Sequence, residues 1–144
     1  MLHTISVLVD NHFGVLSRIS GLFSARGYNI ESLCVGVTED PTVSRMTVAV
    51  TGDDRVLEQI VSQLNKLIEV IEVRDLTSER HVERELVLLK VTADSAQRTE
   101  LLEICTIFRA KVIDMSAAAV IVEATGSEEK VAAFIDMVRP FGIA

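Results

Sequence analysis

Residues 4–27 read TISVLVDNHFGVLSRISGLFSARG, and the hydrophobic period changes in the middle of this stretch. Residues 4–10 alternate, which is the period of a β-strand, with one face formed by Ile5, Val7 and Val9. Further along, apolar residues recur three and four positions apart, as on one face of a helix. That face holds Val15, Leu16, Ile19, Leu22 and Phe23. Because Gly27 can end a helix in the left-handed conformation, the stretch predicts a strand, a turn and a helix.

The chain beyond this stretch predicts four more elements. Residues 28–37 and 43–51 have the composition of two strands, and the Asp40-Pro41 pair between them marks a turn. Asp53 can cap a second helix, and residues 69–76 are typical of a closing strand. The apolar face of this second helix comprises Val56, Leu57, Ile60, Val61, Leu64 and Leu67. The order predicts an α+β unit in which an antiparallel four-stranded sheet carries both helices on one face.

The rest of the chain repeats this order in degraded form. Residues 85–93 predict a strand and residues 99–109 a helix, and a hairpin and a second helix follow, but a last strand is missing. The apolar face of the 99–109 helix holds Leu101, Leu102, Ile104, Cys105 and Phe108. We therefore expect two tandem ferredoxin-like βαββαβ domains, at residues 1–77 and 85–144, with a polar linker at 78–84.

Composition excludes several classes of protein. The 144 residues are 49% hydrophobic, 4% aromatic and 24% charged, with a net charge of -7, which fits a globular chain and disfavours a nucleic-acid partner. The sequence has no export signal and no apolar run long enough for a membrane helix. Cys34 and Cys105 lie far apart, as expected for free thiols in a reducing compartment. These features predict a cytoplasmic protein.

Catalytic and metal-binding patterns are missing from the sequence. His3, His12 and His81 do not have the close spacing that places ligands on one helix face or in one turn. There is also no nucleophile elbow and no phosphate-binding glycine loop. We therefore expect neither catalytic residues nor metal ligands, and the chain is not predicted to be an enzyme.

The turn between the first strand and the first helix is the candidate binding element. The first turn of a helix has unpaired N–H groups and a partial positive charge, and Gly14 lets a ligand approach the backbone closely. Asn11 and Asn29 offer polar contacts, and the expected apolar walls are Val15, Leu16 and Ile30. This arrangement suits a small amino acid. From the turn alone, a helix cap in which Gly14 only serves the turn remains equally open.

Two longer stretches carry a family resemblance. Residues 26–33, RGYNIESL, and 38–47, TEDPTVSRMT, closely resemble the regulatory small subunit of acetohydroxyacid synthase, also called acetolactate synthase. Asn11, Gly14 and residues 81–85, HVERE, fit the same pattern. The resemblance spans the whole chain.

The resemblance implies a non-catalytic subunit built from two ACT domains, whose amino-terminal domains pair in a homodimer. The feedback inhibitor, valine with leucine or isoleucine as alternatives, is expected between two chains. One chain supplies Asn29 and Ile30, and the other supplies Asn11, His12, Phe13, Gly14, Val15 and Leu16. The partner implied is the catalytic large subunit, which carries thiamine diphosphate, magnesium and FAD. This chain itself is expected to hold no cofactor.

The second domain is expected to lack this site. Aligning Ile19 with Ile104 places Ala96 at the position of Asn11 and Thr99 at that of Gly14, so one class of site is expected, two per dimer. A free-standing ACT-domain sensor that regulates another enzyme or a transcription factor is the alternative function. An RNA-binding module ranks far lower, because the chain lacks a basic face and aromatic residues on the middle strands.

Overall fold

The computed structural model describes all of residues 1–144 and divides them into two compact units, Met1–His81 (unit 1) and Val82–Ala144 (unit 2). Unit 1 contains β1 (Leu2–Asp10), α1 (Val15–Ala25), β2 (Ile30–Val37), β3 (Val43–Thr51), α2 (Asp54–Leu64) and β4 (Val70–Asp75). Unit 2 contains β5 (Glu85–Thr92), α3 (Arg98–Phe108), β6 (Lys111–Met115), β7 (Ala119–Gly126), α4 (Glu128–Val138) and a 3-10 turn at Arg139–Phe141. None of these helices has the length and apolar character that crossing a bilayer requires.

Unit 1 confirms the predicted βαββαβ order. Its strands are antiparallel neighbours in the order β2-β3-β1-β4, so each helix crosses over one strand to reach the next position in the sheet. Both helices pack on the same face, where one apolar core forms. That core consists of Ile5, Val7, Val9, Val15, Ile19, Leu22, Phe23, Met46, Val48, Val50, Leu57, Ile60 and Leu64, all buried.

The end of α1 and the start of α2 lie where the sequence predicts them, whereas α2 ends at Leu64, so the expectation that Leu67 lies on its apolar face is wrong. The chain leaves α1 through Gly27, whose φ of 71° is left-handed and whose N–H donates to the Ser24 carbonyl at 3.2 Å. Asp53 caps α2, because its side chain accepts the Val56 N–H at 2.9 Å. Both caps satisfy backbone groups that the helix itself cannot pair.

Strand β2 is an edge of the sheet in unit 1, and its outer backbone groups have no neighbouring strand. Residues 31–37 are all exposed, including Leu33, Val35 and Val37, at 41%, 42% and 59%. These three side chains lie on the helix-bearing side, since they pair with Val48, Met46 and Ser44 of β3. A long edge with exposed apolar side chains is prone to pair with another chain.

Unit 2 keeps the same order without a fourth full strand. Its antiparallel sheet has the order β5-β7-β6, and Ile143 makes a single bridge to Val91 of β5. The apolar face predicted for α3 is wrong at Leu102, which is 36% exposed, whereas Leu101 and Cys105 are buried. Helical positions 101 and 102 are about 100° apart, so the sheet covers only one of them.

Candidate effector site

The loop between β1 and α1, residues 11–14, ends in a left-handed glycine. Gly14 stands directly before α1 with φ 85° and ψ -9°, and no side chain caps the helix there. The N–H groups of Leu16 and Ser17 have no acceptor in the chain. The positive φ of Gly14 is a conformation that favours glycine. A Cβ placed there would meet nothing within 4 Å, so the space above Gly14 is open. The start of α1 can therefore receive an anionic group.

Asn11 fastens this loop to the β2–β3 hairpin. Its backbone N–H donates to the Thr42 carbonyl at 2.8 Å, and its Nδ2 donates to the Pro41 carbonyl at 2.9 Å. Asp40 orders the hairpin, because its carboxylate accepts hydrogen bonds from the hydroxyl and N–H of Thr42 at 2.7 and 2.9 Å. The same bonds lower the pKa of that carboxyl. The Nδ2 donor of Asn11, which we expected to contact a ligand, is thus used within the chain. The Oδ1 of Asn11 is left as a free acceptor.

The remaining loop residues differ in how much of their side chains a ligand could reach. Phe13 is fully exposed and Leu16 is 46% exposed, whereas His12 bonds through Nδ1 to the Phe13 carbonyl at 3.2 Å. The side chain of Val15, which the sequence predicts as an apolar wall, is only 4% exposed within the chain. Val15 lies one helical turn before Ile19 and packs with it on the sheet, so its side chain belongs to the core.

Within one chain, the two halves of the expected site lie far apart. Asn29 is exposed, donates to Glu31 at 2.9 Å, and precedes Ile30, which pairs with Val50. Val50 pairs with His3 at the beginning of β1, whereas the 11–14 loop follows Asp10 at its end. The seven residues from His3 to Asp10 span about 23 Å along the sheet at 3.3 Å per residue. One chain therefore does not bring Asn29 and Ile30 to the loop.

Two residues that sequence reasoning missed adjoin the loop. Glu69, in the turn before β4, is 7% exposed, and its carboxylate lies 2.5 Å from the guanidinium of Arg18 in α1. No sequence signal distinguishes Glu69 from the exposed acidic residues around it, because only the fold brings it under α1. No cluster of three or more His, Cys, Asp or Glu side chains in the chain could hold a metal ion.

The corresponding loop of unit 2 is closed by its own residues. The Ala93 N–H donates to the Ala118 carbonyl at 3.0 Å, as Asn11 does to Thr42. Ala93, and not Ala96, therefore corresponds to Asn11, so the expected alignment is wrong by three residues. The Asp94 carboxylate accepts the N–H groups of Ala96 and Gln97, both at 2.9 Å, just before α3 begins. Residues 93–97 include neither an asparagine nor a glycine, so unit 2 lacks both of these features of the expected site.

Two tandem units of βαββαβ type are typical of proteins built from ACT domains. A family model described as an AHAS small subunit-like ACT domain matches residues 5–72, and one described as the small subunit of acetolactate synthase matches residues 84–144. The chain belongs to the acetolactate synthase small subunit family. The resemblance that the sequence carries is thereby confirmed.

Individual relatives agree over nearly the full chain. A probable acetolactate synthase small subunit from Archaeoglobus fulgidus is 55% identical over 143 residues, covering 99% of this chain and 89% of the relative. The Mycolicibacterium smegmatis acetolactate synthase small subunit is 50% identical, with 98% and 83% covered. The crystal structure of the Thermotoga maritima acetolactate synthase small subunit superposes with a TM-score of 0.92 at 40% identity, covering 100% of this chain and 90% of that one.

The left-handed conformation of Gly14 generates a stability prediction. Gly14→Ala is expected to lower the free energy of unfolding by about 1 kcal/mol, because a Cβ is strained at positive φ. Gly14→Asn should cost less, since asparagine tolerates this conformation. Gly21→Ala, in the middle of α1 with open space around it, should instead stabilise by about 0.5–1 kcal/mol. Urea unfolding of the three variants checks this, and a Gly14→Ala protein as stable as Gly21→Ala would refute the requirement for glycine.

Proposed function

We propose that this chain activates the catalytic large subunit of acetolactate synthase and makes it sensitive to feedback inhibition by valine. Valine binds between two copies of unit 1 in a homodimer. The observation that carries this proposal is the placement of the two site halves at opposite ends of one sheet whose β2 edge is free. Family membership indicates the partner, because a small subunit of acetolactate synthase implies a catalytic large subunit.

A symmetric dimer reunites the two halves. When two β2 edges pair antiparallel, the beginning of one strand lies beside the end of the other. Asn29 and Ile30 of one chain then approach the end of the partner's sheet, where loop 11–14 of that partner lies. The exposed Leu33, Val35 and Val37 become part of a continuous apolar layer under the helices of both chains. The same pairing satisfies the backbone groups of β2 that a single chain leaves without a partner.

The polar groups of the loop match the head group of an amino acid. The valine carboxylate accepts from the N–H groups of Leu16 and Ser17 at the positive end of α1. The ammonium donates to the Oδ1 of Asn11, which has no other hydrogen bond. The isopropyl group lies against Leu16 and the partner's Ile30. Burying it contributes about 2 kcal/mol relative to alanine, whereas one methylene separates valine from leucine by only about 1–3 kcal/mol.

The regulatory effect requires that valine bind two states of the assembly with different affinity. A coupling of about 1–3 kcal/mol between the valine site and the large subunit is enough for strong inhibition. The chemistry itself, a condensation of two 2-ketoacids that uses thiamine diphosphate, magnesium and FAD, belongs to the large subunit.

A matched pair of variants tests the assignment of the carboxylate position. Gly14→Asp and Gly14→Asn carry nearly the same backbone strain, but only aspartate places a negative charge at the start of α1. We expect the Gly14→Asp holoenzyme to stay active and lose valine inhibition, whereas Gly14→Asn keeps more of it. The measurement is acetolactate formation against valine concentration with reconstituted large subunit. Unchanged valine sensitivity in Gly14→Asp would place the site elsewhere.

The proposed pairing of β2 edges is tested by cross-linking at Cys34. Cys34 is exposed near the middle of β2, so full overlap of two antiparallel strands brings both thiols within about 10 Å. Cys105 is buried, and burial raises the pKa of its thiol, so it stays unreactive. A short bis-maleimide should yield a covalent dimer from the wild type and none from Cys34→Ser. Moving the thiol to the outer side of α2, as Ser62→Cys in the Cys34→Ser background, should also give none. Equal cross-linking from position 62 would refute the β2 pairing.

A further inference from the structure

Glu69 contacts both ends of the 11–14 loop. Its backbone carbonyl accepts the N–H of Asp10, the last residue of β1, at 2.9 Å. Its Oε1 lies 2.5 Å from the Nη1 of Arg18. The N–H of Arg18 in turn donates to the Gly14 carbonyl at 3.0 Å, which closes the first turn of α1. One residue thus holds the strand before the loop and the helical turn after it.

The burial of Glu69 makes this link specific. The Glu69 side chain is 9% exposed against 59% for Arg18, so the carboxylate is taken out of water while the guanidinium stays largely in it. The second carboxylate oxygen, Oε2, is buried and has no hydrogen-bond partner. Arg18 is the cation that pairs with this buried carboxylate. An ion pair in which one member is buried fixes geometry even where its net contribution to stability is small.

The other contacts of the loop do not replace this link. Asn11 fastens only the beginning of the loop to the hairpin, through Pro41 and Thr42. In unit 2, Asp94 orders its own loop by accepting the N–H groups of Ala96 and Gln97 before α3 begins. No side chain of the 11–14 loop caps the first turn of α1 in unit 1. Keeping its N–H groups free for a ligand requires that the turn be held from outside.

We infer that Glu69, acting through Arg18, is a positioning residue for the effector site: it holds the N–H groups of Leu16 and Ser17 in the geometry that receives the ligand carboxylate. This role rests on the proposed function. Without the contact between Glu69 and Arg18, the first turn of α1 opens and only a fraction of molecules have a binding-competent loop. If that fraction falls to about one tenth, the apparent Kd for the effector rises about tenfold.

The test uses the full chain with L-valine as the probe. Glu69→Gln is expected to raise the Kd for valine about tenfold in calorimetric titration. Because the two residues act as a unit, the double variant Glu69→Gln/Arg18→Gln should bind no more weakly than Arg18→Gln alone. Glu72→Gln is the matched control, since Glu72 forms an exposed ion pair with Arg74 on β4. It removes the same charge nearby and should leave valine affinity unchanged.

Hydrogen exchange separates positioning from a general loss of stability. In Glu69→Gln, the amide of Arg18, which is hydrogen-bonded to the Gly14 carbonyl, should exchange about tenfold faster while those of β1 and β3 stay unchanged. Faster exchange throughout unit 1 would indicate a merely structural role and overturn the inference, as would unchanged exchange in the first turn or unchanged valine affinity. If the wild type itself binds no valine while Glu69→Gln still loosens α1, the proposed function has failed and the positioning role fails with it.

Discussion

The antiparallel register of the sheet in unit 1 is the constraint on which the account depends. Because β1 and β2 run the same way on either side of β3, the end of β1 and the beginning of β2 lie at opposite ends of the sheet. The open helix N-terminus lies at one end and Asn29 at the other. A site that uses both can form only between chains. The exposed edge of β2 has the apolar side chains and unpaired backbone groups that an antiparallel partner strand would cover.

The two units hold the loop before their first helix in different ways. In unit 1 the amides at the start of α1 stay free, while Asn11 and Glu69 hold the loop from the hairpin and from the turn before β4. In unit 2 the Asp94 carboxylate orders the loop from within, because it accepts the N–H groups of Ala96 and Gln97 before α3 begins. That loop has neither the asparagine nor the glycine of the 11–14 loop. The two loops therefore differ in how they are held and in the polar groups that they present.

The sequence predicted most of the fold, because its strongest signals are local. The change of period at Val15, the glycine at position 27 and the Asp53 cap depend on residues close together in the chain, and the structure has all of them. The site was harder to predict. Burial of Val15 depends on how α1 is rotated on the sheet, and the contact between Glu69 and Arg18 joins residues 51 positions apart. The three-residue error in aligning unit 2 arose because residues three positions apart share a helix face, so Ile104 and Phe108 were matched to Ile19 and Phe23 where Leu101 and Cys105 are the buried pair.

The central claim, that two chains build the site, is tested most directly by titrating L-valine into a chain whose β2 edge cannot pair. Val35→Lys places a charge at the middle of that edge, and Ile71→Lys places one on β4 at the opposite side of the sheet, where Ile71 is 55% exposed. The account predicts that wild type and Ile71→Lys sediment as dimers and bind about one valine per chain. Val35→Lys should sediment as a monomer and give no binding heat. A monomeric Val35→Lys protein that binds valine as tightly as the wild type would contradict it.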